Sequence, residues 1–203
     1  MKDLEHATSN VVVSDMQCMV LDKSDLPPLF DNFRLGHESI LSNETLATQG
    51  FPGSDAGNFR RIGRINGYMR EYLPQPPSDP QKGDCLMAAT VVHLFENQKS
   101  VHTWMHDVFI KGFEAQVGQE IRDRQQLMSI EVLHPCGFVD ESIGLKAVHK
   151  DDNKTVSVTI VDFRFGRLLG VAFVASLGDT DQLEEATILA TELEKHFVRF
   201  LLK

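Results

Sequence analysis

Apolar and polar positions follow the clearest pattern in the last quarter of the chain. Two runs rich in β-branched and aromatic residues, 156–164 and 167–176, flank the dipeptide Phe165-Gly166. Such runs are typical of strands, and a glycine between them favours a two-residue hairpin loop because it adopts positive φ without steric cost. The pattern therefore predicts a β-hairpin with Phe165 and Gly166 as its loop.

Pairing across that loop decides which side chains share a face of the hairpin. It would put Arg164 opposite Arg167 and Asp162 opposite Leu169. One face then carries an apolar set: Val156, Val158, Ile160, Leu169, Val171, Phe173 and Ala175. The opposite face is also largely apolar, so we expect both faces to be covered for part of their length.

Apolar residues at three- and four-residue spacing predict two long helices. One spans 181–202, and its acidic start and basic end suit the helix dipole. We expect it to lie across the apolar face of the hairpin. The other spans 100–117, and we expect it on the same side of the sheet. A short helix is predicted at 42–49, with Ser42 or Asn43 as its cap.

Further strands complete the predicted sheet. They lie near residues 11–21, 60–72, 85–95, 127–133 and 143–149. A proline-rich loop at 74–83 and a turn at 151–154 separate some of them. The pattern predicts a single α+β domain over residues 1–203: a mainly antiparallel sheet covered by two long helices, with residues 1–10 as a mobile lead-in.

Composition and charge narrow the functional classes. The chain has 203 residues, 42% hydrophobic and 24% charged, which is ordinary for a soluble globular domain. Its net charge of −9 argues against a general binder of nucleic acid or of anionic membranes, which would show a basic footprint. No apolar run reaches the length of a membrane span. Because the N-terminus lacks a secretory signal, two locations stay open: cytoplasmic as the chain stands, or secreted or lipoprotein with a leader removed.

The sharpest local pattern for chemistry is a histidine pair, His102 and His106. Histidines four residues apart share a face of a helix and can bind a metal ion together. The glutamate of the metalloprotease motif is missing between them, so a third ligand must come from elsewhere, with His93, Glu96 or Asp107 as candidates. The simpler interpretation, which we favour, is a pair of packing or solvent-facing histidines at the margin of the apolar face.

Arginines and aromatic residues suggest a ligand site. The arginines Arg60, Arg61, Arg64, Arg70, Arg164 and Arg167 stand out in an acidic chain. Guanidinium groups match carboxylate and phosphate geometry, although charges on strand edges also block edge-to-edge pairing, and we favour that explanation. The candidate ligand-binding residues are Arg64, Tyr68, Trp104, Phe109, Arg164 and Arg167.

The remaining reactive residues indicate no catalytic class. The three cysteines, far apart in sequence, show neither a disulfide framework nor a paired-cysteine metal motif. A thiol nucleophile at Cys136 beside His134 is a minor hypothesis, because adjacent residues seldom place such a pair correctly. The carboxylate pair Asp140-Glu141 is explained by a turn. No pattern identifies a cofactor.

Four motifs occur in a characteristic order: KSDLPPLF, GRINGYMREY, VVHLFENQKSVHTWMHDVF and VDFRFGRLLGVAFVAS. With its Asp25-Leu26-Pro27 turn and its late Phe163-Arg164-Phe165-Gly166 hairpin, the chain resembles uncharacterised bacterial secreted proteins and lipoproteins. These are similar in outline to the PsbP-like α+β fold, an antiparallel sheet with flanking helices. The resemblance implies a binding or accessory domain and supplies no catalytic residues.

These observations lead to two functional hypotheses. The first is a non-enzymatic binding or accessory protein that holds a small hydrophobic ligand or a protein partner between sheet and helices. It follows from the many Phe and Met residues of the chain and from the lack of a recognisable set of catalytic residues in the sequence. The alternative is a metal-assisted enzyme that uses His102 and His106. A homodimer formed through an exposed sheet surface is a further expectation.

Overall fold

The computed structural model describes residues 2–75, 80–122, 125–150 and 154–202. Its strands are β1 Phe33–Ile40, β2 Arg64–Pro74, β3 Cys85–Phe95, β4 Glu120–Arg122, β5 Gln125–Leu133, β6 Ser142–Lys150, β7 Thr155–Phe165 and β8 Leu168–Leu177. They form one eight-stranded sheet in the order β1-β2-β3-β8-β7-β6-β5-β4, and every neighbouring pair is antiparallel. The predicted α+β class with a mainly antiparallel sheet is confirmed.

The helices are distributed along the whole chain. They are α1 Lys2–Thr8, α2 Met16–Met19, α3 Asn43–Gln49, α4 Ala56–Ile62, α5 Gln98–Thr103, α6 Lys111–Gln116 and α7 Leu183–Leu201. A π-helical segment, Trp104–Ile110, joins α5 to α6, so that 98–116 is one continuous helix. The helices predicted at 100–117 and 181–202 correspond to 98–116 and α7, and the one predicted at 42–49 corresponds to α3, whose N-cap is Ser42.

The two long helices lie on opposite faces of the sheet, so the prediction of one shared face is wrong. Side chains alternate along β8: Leu168 and Ala172 pack towards α7, whereas Leu169 and Val171 pack towards 98–116. We call the first group the α7 cluster: Leu189, Leu193 and Phe197 of α7 with Tyr68, Val92, Val161, Phe163, Leu168, Ala172 and Val174. The second is the Trp104 cluster: Val101, Trp104, Met105 and Ile110 with Phe59, Met69, Val91, Phe95, Leu145, Leu169 and Val171.

Opposite placement follows from the apolar character of both hairpin faces. An apolar face left in water forfeits roughly 25 cal/mol per Å² of burial, so each face needs its own cover. The helix α7 packs on the face of Phe163 and Leu168. The prediction placed it on the opposite face, with Val171 and Phe173, which belongs to the Trp104 cluster.

The hairpin between β7 and β8 turns one residue later than predicted. Its loop is Gly166-Arg167, and Phe165 pairs with Leu168. Gly166 has a φ of 59°, a backbone conformation that glycine adopts more readily than residues with a side chain. Arg164 therefore lies opposite Leu169 and not Arg167. Because the partner of each residue shifts by two positions, the predicted faces are kept.

The strand predicted near 11–21 does not exist. A 3₁₀ turn, Val13–Asp15, and the helix α2 occupy this segment. Met16 and Met19 are buried while the residues between them are exposed, which is a helical spacing and not an alternation. Strand β1 forms one edge of the sheet. Because it is mostly polar and exposed, the apolar pattern did not predict it.

The strand predicted near 60–72 begins later than expected. Residues 60–62 belong to α4, which starts at the capping side chain of Asp55 and ends at Gly63, whose φ is 96°. The strands predicted at 85–95, 127–133 and 143–149 fall on β3, β5 and β6. Parts of the loop predicted at 74–83 and of the turn at 151–154, namely residues 76–79 and 151–153, lie outside the described residues.

Candidate functional site

Two histidines and a glutamate meet where helix 98–116 lies close to the start of β6. His102 lies in α5, His106 lies in the π-helical segment, and Glu141 comes directly before β6. His102 Nδ1 is 2.9 Å from both carboxylate oxygens of Glu141, and His106 Nε2 is 2.6 Å from Oε1. Among the described residues this is the one group of three possible ligands whose atoms all lie within 4.8 Å of one another.

Arg164 holds Glu141 from the sheet side. Its Nη1 lies 3.2 Å from Glu141 Oε2, while its Nε and Nη2 donate to the two carboxylate oxygens of Asp140 at 3.0 and 2.9 Å. Burial alone would raise the pKa of Glu141, but the hydrogen bonds with His102 and His106 and the charge of Arg164 outweigh it and lower that pKa. Glu141 is therefore an ionised carboxylate in a defined orientation.

The third residues proposed from sequence lie elsewhere. His93 is buried against Arg64, and Asp107 Oδ1 accepts from Lys111 Nζ at 2.5 Å. Glu96 lies beside Gly63. Sequence reasoning missed Glu141 as a partner because it stands 35 residues beyond His106, and only the packing of the helix on the sheet joins them.

A groove lies on helix 98–116 beside the loop that joins α3 to α4. It has a volume of about 380 Å³. Its lining residues are Leu46, Gly50, Phe51, Pro52, Gly53, Ser54, Asp55, Asn58, Phe59, Trp104, Asp107, Val108, Phe109, Gly112, Phe113, Ala115 and Gln116. The predicted ligand-binding residues Trp104 and Phe109 both come from the π-helical segment, a rare helix form that is frequent at functional sites.

Aromatic side chains shape this groove through edge-to-face contacts. Phe51 meets Phe113 with ring centroids 4.7 Å apart, and Phe109 meets Phe113 at 5.4 Å. Phe59 meets Trp104 at 5.1 Å. Such contacts hold the rings in place and leave apolar surface facing the groove.

Arg64, another predicted ligand-binding residue, supports Trp104 from the interior. It is only 2% exposed and donates to Leu41 O at 2.7 Å, to Asn43 Oδ1 at 2.7 Å and to His93 Nδ1 at 2.9 Å. Its guanidinium carbon lies 5.8 Å from the centre of the Trp104 ring. Burial lowers the pKa of Arg64 to about 9, which leaves it charged at neutral pH. Its donors are used inside the protein, so a ligand in the groove does not reach them.

Tyr68 and Arg167 lie away from the groove. Tyr68 belongs to the α7 cluster on the other face of the sheet. Arg167 donates to the carbonyl oxygens of Thr8 at 2.9 Å and Ser9 at 3.1 Å, and thereby connects the hairpin loop to the segment after α1. The structure thus places Arg164 and the histidine pair on the same residue, Glu141, and Arg64 beside Trp104. It does not bring the six candidates to one site.

The other arginines of the sequence pattern are paired with carboxylates. Arg60 pairs with Glu44, and Arg61 lies 3.9 Å from Asp55. Arg70 contacts Asp22 and Glu38. These pairs explain why arginine is frequent around β2 without a common anion pocket.

Comparison with known proteins shows the fold alone. No protein-family model matches the chain, and no curated protein sequence matches it. The chain is similar in structure to the extracellular domain of PknH from Mycobacterium tuberculosis, with a TM-score of 0.60 over 93% of this chain and 97% of that chain, at 8% sequence identity. In the part of the chain that the structure describes, no helix has the length and apolar character needed to cross a membrane. The chain shares an antiparallel α+β fold with this bacterial domain.

Proposed function

We propose that this protein is a non-enzymatic binding protein and that it holds a small apolar molecule in the groove beside the π-helical segment. The carrying observation is the aromatic lining of the groove, to which Phe51, Phe59, Trp104, Phe109 and Phe113 all contribute. Its volume of about 380 Å³ falls within the range of pockets for small molecules. Aromatic rings that are already held in place offer a large contact area and lose little side-chain conformational entropy when a ligand binds.

We infer that such a ligand binds in the groove and not in the space between the sheet and the helices. On the α7 side Leu189 and Phe197 are fully buried, and on the other side Val101 and Met105 are fully buried. Protein interiors are close-packed and have few voids larger than a water molecule. A ligand there would have to displace the core, whereas the groove is already open.

Charge around the groove favours a neutral ligand. The lining contains two carboxylates, Asp55 and Asp107, and each has a cation beside it, with Arg61 3.9 Å from Asp55 and Lys111 2.5 Å from Asp107. A charged ligand would lose hydration and would have to compete with these ion pairs for a partner. We therefore expect uncharged aromatic or aliphatic molecules to bind more tightly than fatty-acid anions of similar size.

Gly112 provides a direct test of the groove. A Cβ at this position meets nothing within 4 Å, so Gly112→Leu would place an apolar side chain in the groove and would also improve helix propensity. We expect the neutral probe N-phenyl-1-naphthylamine to cause a saturable change in the fluorescence of Trp104, the one tryptophan of the chain. In Gly112→Leu the affinity should fall at least about tenfold, or about 1.4 kcal/mol.

The matched control is Glu114→Leu, which adds the same side chain to an exposed position of the same helix outside the groove lining. It should bind the probe like the parent protein. Equal binding by the parent and Gly112→Leu, or tighter binding of decanoate than of the neutral probe, would contradict the proposal. Native mass spectrometry of freshly purified protein should also show a retained small molecule.

A protein partner or a second copy of the chain is the competing occupant of the groove. Light scattering at high protein concentration separates these cases, because a homodimer formed through the groove would dissociate in Gly112→Leu. A monomer supports the small-molecule proposal. The PsbP-like outline and the accessory role that it implies are likewise proposals, supported by the antiparallel α+β fold.

The second candidate function, a metal-assisted enzyme using His102 and His106, is favoured by the convergence of both side chains on Glu141. A metal ion held there would keep a coordination position for water, as in hydrolytic zinc sites. Hydrolysis of an activated ester that depends on Zn²⁺ and is lost in His106→Ala would support this function. Metal binding without such activity would exclude it for esters.

A further inference from the structure

Glu141 presents one carboxylate oxygen to two imidazole nitrogens. Oε1 lies 2.9 Å from His102 Nδ1 and 2.6 Å from His106 Nε2, and the two rings stand 4.5 Å apart, centre to centre. We propose that His102, His106 and Glu141 form a binding site for a divalent transition-metal ion of the Zn²⁺ type. This site is separate from the groove and does not depend on a ligand there.

The distances agree with such an ion after a small adjustment. Zn²⁺ binds imidazole nitrogen and carboxylate oxygen at about 2.0–2.1 Å, which places tetrahedral ligand atoms about 3.3 Å apart. The separations of the two imidazole nitrogens from Oε1, 2.6 and 2.9 Å, need to widen by less than about 1 Å, and all three ligand atoms lie within 4.8 Å of one another. Rotation about side-chain bonds provides that movement, because the side chains of His102 and His106 are 54% and 42% exposed. The same exposure gives an ion a path from solvent.

The carboxylate is held in the orientation that a metal ligand requires. Arg164 Nη1 lies 3.2 Å from Oε2 of Glu141, which His102 Nδ1 also approaches at 2.9 Å, while Oε1 contacts both histidines. Two hydrogen bonds to Asp140 fix the guanidinium, and the backbone N–H of Arg164 donates to Glu141 O at 2.8 Å. Partners of this kind orient the ligands of natural metal sites and are a large part of their affinity.

The donor set selects the class of ion. Two imidazoles and one carboxylate suit Zn²⁺, Co²⁺ or Ni²⁺, whereas Ca²⁺ and Mg²⁺ prefer six or more oxygen ligands. Asp140 and Glu141 together carry two negative charges against the one positive charge of Arg164, so the surroundings of the site favour a cation. With three protein ligands, the fourth position is left for water.

Titration of the full chain, purified without a histidine tag and treated with EDTA, tests the site. Calorimetry with Zn²⁺ should show one equivalent bound, and an excess of Mg²⁺ or Ca²⁺ should not compete. The visible absorption spectrum of bound Co²⁺ should be that of a four-coordinate ion. In Glu141→Gln, which keeps the side-chain shape, and in His106→Ala, affinity should fall at least about 100-fold, since even outer partners contribute 10–100-fold.

The matched control is His37→Ala, which removes an exposed histidine from the edge strand β1. It should leave Zn²⁺ affinity unchanged. No Zn²⁺ binding by the parent, or equal affinity in the parent and Glu141→Gln, would overturn the proposal and leave the three residues as a hydrogen-bonded clasp between helix and sheet. Probe binding in the groove should persist in Glu141→Gln, so the two proposals fail independently.

Discussion

At the scale of the residue, Asp162 is a buried carboxyl group in the middle of the sheet. It is 2% exposed, lies opposite Ile143 on one side and Val171 on the other, and its Oδ1 has no hydrogen-bond partner among the described residues. Burial raises the pKa of its carboxyl well above the usual value. The folded protein therefore keeps a proton on Asp162 at pH values where the unfolded chain has lost it.

Substitution of Asp162 by asparagine should change the pH dependence of stability. Because the folded state binds the extra proton, the free energy of unfolding falls by up to about 1.4 kcal/mol per pH unit as pH rises from about 4 through the raised pKa. Asp162→Asn removes this loss. We expect the variant to gain stability relative to the parent from pH 4 to pH 8, measured by urea denaturation.

The exposed residue Asp31 provides the control for this measurement. Asp31→Asn should change stability little and equally at both pH values. A stability difference between Asp162→Asn and the parent that is constant with pH would show that Asp162 is ionised in the folded protein.

At the scale of the element, α7 shows how apolar spacing translates into packing. Leu189, Leu193 and Phe197 recur at four-residue steps, and all three are fully buried against the sheet. Ile188, directly beside Leu189, is 41% exposed. The helix therefore buries one face, and residues of similar size on it differ widely in their contribution to stability.

Alanine substitutions in α7 should separate these two faces. Leu193→Ala leaves a cavity in the α7 cluster, and we expect it to lower the free energy of unfolding by about 2–5 kcal/mol. Ile188→Ala should change it by no more than about 0.5 kcal/mol, as is usual for surface positions. Thermal and urea unfolding followed by circular dichroism measure both. Similar losses in the two variants would indicate that Ile188 is covered in solution.

At the scale of the whole molecule, one sheet carries two apolar clusters on opposite faces. The strand β8 contributes alternate residues to both, with Leu168 in the α7 cluster and Leu169 in the Trp104 cluster. Loss of either cluster exposes one face of the same strands. The two halves of the core are thus expected to unfold together, as one cooperative unit.

The single tryptophan makes this cooperativity measurable. Trp104 fluorescence reports on its own cluster, whereas far-ultraviolet circular dichroism reports on all helices and strands. We expect the two urea transitions to have the same midpoint and slope. If fluorescence changed at a lower urea concentration, helix 98–116 and its surroundings would be a separate and weaker unit.

The sequence by itself determined the elements that bury a continuous apolar pattern. The strands β3 and β7, the helix α7 and the fold class follow from local spacing, because burial of one face imposes a period of two or 3.6 on the residues concerned. Edge strand β1 carries no such pattern because most of it is exposed. In residues 11–21 the apolar and β-branched content predicts a strand, whereas the buried residues Met16 and Met19 have a helical spacing.

Tertiary structure alone decided which face each helix covers and which side chains meet. Both faces of the β7–β8 hairpin are apolar, so spacing did not choose between them. His102 and His106 are visible in sequence as a pair, but Glu141 joins them only because the fold brings helix 98–116 to the start of β6. Likewise the sequence proposes Arg64 as a ligand-binding residue, and only the packing places its guanidinium in the interior beside Trp104. Local chemistry limits what a residue is able to bind, whereas contacts between residues far apart in sequence depend on how the whole chain packs.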